Sequence, residues 1–511
     1  MISYACHIHL QGFLSTPGKG ISSLVDESEP NNISNQIVGF RNVPHMGNLR
    51  SKDLSKIGYH NDQLRSLVIG ITSKNFKHHS RQQLLDLLVE IKDNPEAFLD
   101  DELTGKIAEK IIGRAGAPSF KAFELRNEPV FCKTYGSKGI EPAAKRQMEL
   151  ATLLPVSVQA ALMPDAHMGF GLPIGGVLAT DHAVIPYAVG MDIGCRMALS
   201  IIGENESFLK RYEYQIREAL KAHTHFGMEG GLDTRQEHEV LDSPVFNEIA
   251  MLKPLRSKAV RQLGTSGSGN HFAEFGEMEL FTDNTIGLPA GKYTALLTHS
   301  GSRGLGSAIA RHYTQIAMNT CKLPRHSQQL AWLDLNSEAG QEYWLAMTLA
   351  GDYAKACHER IHANLIKALN QEALRVVENH HNFAWKDRLT DGRDVVIHRK
   401  GATPAHKGEL GIIPGSMTTP AYLVSGKGTG NALYSASHGS GRAMSRQKAK
   451  ESMTVSAMKK LLANAGVTLI GGSVEENPLA YKDIETVIAA QSDLVDIQGK
   501  FYPRIVRMNK E

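Results

Sequence analysis

The sequence predicts an α+β fold: a single large mixed-sheet domain with flanking helices. Short apolar runs punctuated by Gly and Pro mark about Phe131 to Ile202, strands and helices follow without regular alternation, and no internal repeat or long low-complexity tract appears. At 511 residues, with 42% hydrophobic and 21% charged residues, the chain can bury a large core and has an ordinary globular composition.

Taken in chain order, residues 1–57 carry Gly, Ser, Pro and Asn around Ser15–Gly20 and Glu29–Asn35 and are read as a poorly defined N-terminal extension. Residues 58–115 are expected to form a small helical segment packed on the main domain. Its stripe is Leu84, Leu85, Leu87, Leu88 and Ile91, broken by Asn94-Pro95. Residues 116–511 form the main domain. There Gly175–Ala179, Met197–Ile202 and Tyr293–Thr298 read as strands, the last running into His299, a Gly/Ser turn and a helix from about Ser307. Tyr343, Met347, Ala350, Ala354, Cys357, Ile361 and Leu365 mark a long helix over 337–377, which makes Cys357 a core residue. A second helix is expected over 443–464, its Arg446, Lys448, Lys450, Lys459 and Lys460 read as a solvated face, with RNA contact the minority reading.

Composition removes several function classes. No apolar run reaches membrane-span length, and the N-terminus lacks the pattern of a secretory signal, so no membrane role and a cytoplasmic location are expected. The five cysteines, Cys6, Cys132, Cys195, Cys321 and Cys357, form no Cys-x-x-Cys pair and do not suggest a disulfide framework. A net charge of +3 neither requires nor excludes a nucleic-acid partner.

Chemistry concentrates in five glycine-rich segments: Pro164–Gly169, Asp192-Ile-Gly-Cys195, Gly264–His271, Thr298–Gly304 and Ser437–Arg442. Glycine lets backbone N–H groups approach an anion, while His, Cys and Asp are metal ligands, so the set points to metal-assisted phosphate chemistry. Asp192 and Cys195 stand three apart, with Gly190 and Gly194 allowing a tight turn able to aim both at one cation or merely to bury an inert thiol. With 22 histidines in the chain, His271, His299 and His381 taken singly are ordinary polar residues, and their spacing proves no cluster. Neither Gly264–His271 nor Thr298–Gly304 matches the phosphate-loop pattern, although Arg303 adds a guanidinium suited to phosphate. His438, followed by Gly439, Gly441 and Arg442, is a candidate nucleophile toward phosphorus.

Together these motifs resemble the RtcB family of RNA-splicing and RNA-repair ligases. The resemblance runs from roughly Phe131 to Arg507 through Met-Pro-Asp-Ala-His167, Asp192-Ile-Gly-Cys195, Asn270-His271-Phe-Ala-Glu274, His299-Ser-Gly-Ser-Arg303, His381-Asn382, His398–Thr403, Pro414-Gly-Ser-Met417, His438-Gly-Ser-Gly-Arg442 and Ala480-Tyr-Lys-Asp483. It implies an RtcB-like catalytic domain over 116–511, of a bacterial subgroup, that uses GTP and two Mn²⁺ ions to join RNA 3′-phosphate or 2′,3′-cyclic phosphate ends to 5′-hydroxyl ends. By that similarity Asp192, Cys195 and His271 hold one Mn²⁺, Cys195, His299 and His381 hold the second, and His438 forms a covalent guanylylate. Asn270, Glu274, Arg303, Asn382, Ser416, His438, Gly439, Gly441, Arg442, Tyr481 and Arg507 bind GTP, with Glu274, Ser416 and Tyr481 around the guanine. A protein activator is a further partner this reading allows.

The chain also departs from the family pattern. Ala421 replaces a usual serine and removes a hydroxyl from the expected guanine pocket, Arg507 stands where a guanine-contacting lysine is expected, and Phe170 replaces a common lysine. Competing readings are a metal-dependent cyclic phosphodiesterase, an enzyme that caps 3′-phosphates with GMP without sealing, and a non-catalytic binder of RNA ends.

Overall fold

A computed structural model describes residues 49–510, apart from residues 61, 77–78, 113–119, 206, 229–230 and 233. Most of the expected N-terminal extension lies outside the described residues. The chain divides into two compact units, residues 1–117 and 118–511.

In the first unit the helices Ser51–Lys56, Asp62–Asn75, Arg81–Asp93 and Gly105–Ile111 surround Leu54, Tyr59, Val68, Leu88, Ile91 and Ile107. Ser80 starts the third helix with a reciprocal cap: its backbone N–H donates to Gln83 Oε1 at 2.8 Å, and its hydroxyl accepts from the Gln83 N–H. Asn94 and Pro95 end it as the sequence predicts.

The second unit is α+β and is organised by two sheets. The larger runs in the order Ala373–His380, Arg196–Ile202, Gly291–Ser300, Phe272–Leu280, Val495–Met508, Ala421–Gly426 and Leu410–Ile413, all antiparallel, with Thr468–Ile470 added parallel to the long C-terminal strand. The other orders Asn382–Arg388, Asp394–Lys400, Ile174–Thr180, Ser157–His167 and Cys132–Thr134. Both faces are covered at the strand Arg196–Ile202, which is buried at every residue. Met197, Leu199 and Ile201 enter one core while Ile202, Leu296 and Phe275 pack with Ile361 and Leu365 in another.

Three boundaries differ from the sequence reading. The long helix spans Glu338–Ala368 rather than reaching Val377; Asn370 adopts a left-handed φ of 52°, and 373–380 pairs as a strand with 196–202, where Val376 and Val377 suit the pleat. Cys357 is fully buried on that helix. The helix after His299 begins at Arg303. The expected helix over 443–464 is two helices, Arg446–Ser452 and Val455–Asn464, because Met453 turns extended and the Thr454 hydroxyl caps the second by accepting from the Ala457 N–H at 3.2 Å. Among the described residues no helix is long and apolar enough to cross a membrane.

Candidate active site

Sheet register collapses the long sequence spacing between the candidate ligands. Arg196 pairs with both Ser300 and His380, and Phe272 pairs with His299. Cys195, His271 and His381 each sit one residue from a paired position, and His299 occupies one, so all four meet at one end of the sheet. Asp192 and Cys195 lie in the turn entering the 196–202 strand; Gly194 has φ +72° there, and a Cβ on it would lie 2.7 Å from Gly351 Cα. The His381 N–H donates to the Cys195 carbonyl at 3.0 Å, fixing the two ligand-bearing loops to each other.

The donor atoms form two groups that share a thiol. Cys195 Sγ lies 3.4 Å from His271 Nε2 and 3.2 Å from His299 Nε2; His271 Nε2 is 3.1 Å from Asp192 Oδ2; and His299 Nε2 is 3.3 Å from His381 Nε2. Within Asp192–Cys195–His271 and within Cys195–His299–His381, all donor atoms lie within 4.8 Å of one another. His299 Nδ1 lies 3.0 Å from the Asn270 carbonyl, which can only accept, so Nδ1 carries the proton and Nε2 turns a lone pair toward Cys195 and His381. Nδ1 of both His271 and His381 is buried without a protein partner.

Electrostatics favour the ligand forms of the imidazoles. Burial, reinforced by neighbouring His271, pulls His299 down to about 3. Burial pulls His381 well below its usual range, so both rings are neutral near pH 7. Burial pushes Asp192 upward, but the hydrogen bond and charge of His271 outweigh it and hold the carboxyl at about 2. Burial and the Asp192 carboxylate raise the Cys195 thiol well above its ordinary value. Beyond the Asp192–His271 contact, the sulfur and the three imidazoles converge on one another as a soft and borderline donor set, so the residues fit two transition-metal ions.

His438 stands beside this cluster, its ring centroid 5.0 Å from that of His381. Asp165, fully buried in the Ser157–His167 strand, orients it: Oδ2 lies 2.7 Å from His438 Nδ1 and also accepts from the backbone N–H groups of His438 at 3.2 Å and Gly439 at 3.3 Å. In the neutral tautomer that donates from Nδ1, the lone pair lies on Nε2. Gly441, at φ +72°, permits this approach, since a side chain there would collide with the Asp165 carbonyl.

A cavity of about 380 Å³ opens from His438 and His299, within the range of small-molecule sites. Its wall includes the expected Asn270, Glu274, Ser416, Gly439, Gly441, Arg442 and Tyr481, with Ala421 also on it. Burial pushes the Glu274 carboxyl up to about 8. Tyr481 donates to Glu476, and Arg442 donates to Glu476 Oε2 at 3.0 Å and to the Glu475 carbonyl at 2.7 Å.

Three expected nucleotide contacts stand off this wall. Arg303 donates to Thr265 Oγ1 at 3.0 Å and to the Gly227 carbonyl, bracing the Gly264–His271 loop. Asn382 accepts from the Gly401 N–H at 2.8 Å and donates to the Asp192 carbonyl. Val506 and Met508 line the cavity, whereas the Arg507 guanidinium, between them on the strand, donates to the Met508 carbonyl at 2.9 Å and lies over Phe226.

The sequence reading gave no role to Asp165, Arg446 or Glu476. Asp165 was visible inside Pro-Asp-Ala-His, but nothing local ties it to a residue 273 positions away. Arg446, read as solvated, lines the cavity and donates to Glu475 Oε1 at 2.5 Å and Glu476 Oε1 at 2.8 Å. The adjacent acids Glu475-Glu476 were the available signal for that network.

The model of the family described as "tRNA-splicing ligase RtcB" matches residues 147–251 and 246–509. The RNA-splicing ligase RtcB of Escherichia coli K12 is 31% identical over 410 residues, covering 74% of this chain and 97% of that protein. RtcB of Mycobacterium tuberculosis H37Rv is 31% identical over 431 residues, 70% and 98% of the two chains, and the tRNA-splicing ligase RtcB of Nanoarchaeum equitans is 30% identical over 416 residues, 68% and 87%. The chain belongs to the RtcB family of RNA ligases.

Proposed function

We propose that this RNA ligase depends on GTP and Mn²⁺ and joins RNA 3′-phosphate or 2′,3′-cyclic phosphate ends to 5′-hydroxyl ends through a guanylyl-histidine at His438, in RNA repair. The observation that carries this reading is the Asp165–His438 pair, which leaves an imidazole lone pair on the cavity wall next to two clusters of metal-ligand atoms.

His438 Nε2 attacks the α-phosphorus of GTP; a nitrogen–phosphorus bond forms, and the bond to pyrophosphate breaks. The Asp165 carboxylate offsets the positive charge that develops on the ring. An oxygen of the RNA 3′-phosphate then attacks the same phosphorus, returning the lone pair to Nε2 and leaving the RNA phosphate joined to GMP. The 5′-hydroxyl attacks that RNA phosphorus, loses its proton, and expels GMP. A 2′,3′-cyclic phosphate is first opened by water to a 3′-phosphate.

Asp192, Cys195 and His271 would hold one Mn²⁺ and Cys195, His299 and His381 the other. Bound there, the ions supply positive charge that neutralises phosphate oxygens at each displacement. Asn270 and the backbone of Gly439 and Gly441 orient the nucleotide phosphates; Ser416 and Tyr481 flank the guanine, and Glu274 accepts from its N1 and N2 donors. Arg303 and Asn382 serve these groups by bracing their loops.

The test uses two labelled oligonucleotides, one ending in a 3′-phosphate and one beginning with a 5′-hydroxyl, incubated with GTP and Mn²⁺. The account expects a joined strand and stoichiometric GMP. A 3′-phosphate strand carrying unreleased GMP as the end product, or ring opening alone, would replace it with capping or phosphodiesterase activity.

A further inference from the structure

Next to the cavity, four consecutive residues, Met168-Gly-Phe-Gly171, form a loop that runs against the usual balance of exposure. Met168 is 62% exposed and Phe170 68% exposed, among the most exposed large apolar side chains described. Their backbone is nonetheless held at every residue by a side chain from elsewhere. Glu141 Oε1 accepts from the Met168 N–H at 2.6 Å, and Gln147 both accepts from the Gly169 N–H at 3.0 Å and donates to its carbonyl at 2.7 Å. Lys400 Nζ donates to the Phe170 carbonyl, and Gln329 Oε1 accepts from the Gly171 N–H at 3.1 Å. The glycines permit the path: Gly171 has φ +70°, and a Cβ on Gly169 would press on the Leu172 carbonyl at 3.0 Å.

A loop pinned this way presents its apolar side chains at little further ordering cost, which is what a stacking surface requires. Met168 also lines the cavity that holds His438, so the surface is continuous with the proposed reaction site. Two side chains match the face of one nucleobase and fall far short of the roughly 1,200 Å² that a specific protein partner buries. Bases at single-stranded RNA ends are unpaired and present a π-face that aromatic side chains bind whatever the sequence.

Resting on the ligase reading above, we propose that Phe170, with Met168 beside it, is a stacking platform for an unpaired nucleobase flanking the break, a contact that holds the RNA end at the cavity mouth.

The test measures KM and kcat for joining, per guanylylated enzyme, with wild type, Phe170→Ala and Phe170→Trp. Substrates carry either normal bases or an abasic residue, placed at the 3′-phosphate terminus or the 5′-hydroxyl terminus. Phe170→Ala is expected to raise KM for RNA on the order of 5- to 100-fold with a smaller effect on kcat, and Phe170→Trp to keep wild-type KM. In wild type, an abasic residue on one side of the break is expected to cause the same loss, with no further loss when combined with Phe170→Ala; the side that does so identifies the stacked base. Joining by wild type with KM unchanged in Phe170→Ala, or losses that multiply with abasic substitution on both sides, overturns the platform while leaving the ligase reading intact. Failure of wild type to join normal strands counts against the ligase reading itself.

Discussion

Asp165 Oδ2 lies 2.7 Å from His438 Nδ1 and also accepts the backbone N–H groups of His438 and Gly439, so one buried carboxylate sets both the tautomer and the position of the histidine. Asp165→Asn keeps the shape but offers an amide that can present N–H to Nδ1 and hold the ring in the wrong tautomer. Guanylylation is expected to fall on the order of 10²- to 10⁴-fold, measured as labelled GMP retained by protein, with Mn²⁺ binding retained. Near-wild-type labelling would show that the carboxylate does not orient the nucleophile.

Cys195 belongs to both donor groups, while His271 and His381 each belong to one. Equilibrium dialysis with Mn²⁺ should therefore find two ions in wild type, one in His271→Ala, one in His381→Ala, and neither held tightly in Cys195→Ala. Two ions in Cys195→Ala would remove the shared thiolate from the account.

A Cβ at Gly301 would collide with both carboxylate oxygens of Asp192. Gly301→Ala is expected to displace that carboxylate from His271 and weaken Mn²⁺ binding roughly 10- to 100-fold. Gly139, where an added methyl would meet nothing within 4 Å, provides the control: Gly139→Ala should leave Mn²⁺ affinity unchanged.

Burial raises Glu274 to about 8, above the ordinary glutamate value. A raised folded-state pKa means the native state holds a proton that the unfolded chain has released. Its contribution to stability is present below the ordinary glutamate pKa and is lost as pH rises through about 8. Relative to Glu274→Gln, wild type should lose stability across that window at up to about 1.4 kcal/mol per pH unit, read by urea unfolding. Guanine N1 and N2 donors favour the carboxylate, so GTP binding near pH 7 should release a proton, detectable by calorimetry in buffers of different ionisation enthalpy. Parallel pH curves for the two proteins would contradict the assignment.

Strands and ligands were legible where local pattern and motif agree. Short apolar runs such as Met197–Ile202 announced strands, and Asp192 with Cys195 announced a turn that could aim two ligands. The joining of His271, His299 and His381 was not readable from spacing, because it depends on which strands pair and in what register. Asp165 escaped for the same reason, its partner lying on a different part of the chain. The helix expected over 443–464 breaks locally, where Met453 turns extended and the Thr454 hydroxyl caps a new helix start.

The central claim is a covalent guanylylate on His438, and one measurement tests it most directly: wild type and His438→Ala incubated with Mn²⁺ and α-labelled GTP, then denatured and assayed for bound GMP. The account predicts an acid-labile, alkali-stable adduct in wild type and none in His438→Ala. Equal labelling of both proteins, or no label on folded wild type with Mn²⁺ bound, would contradict it.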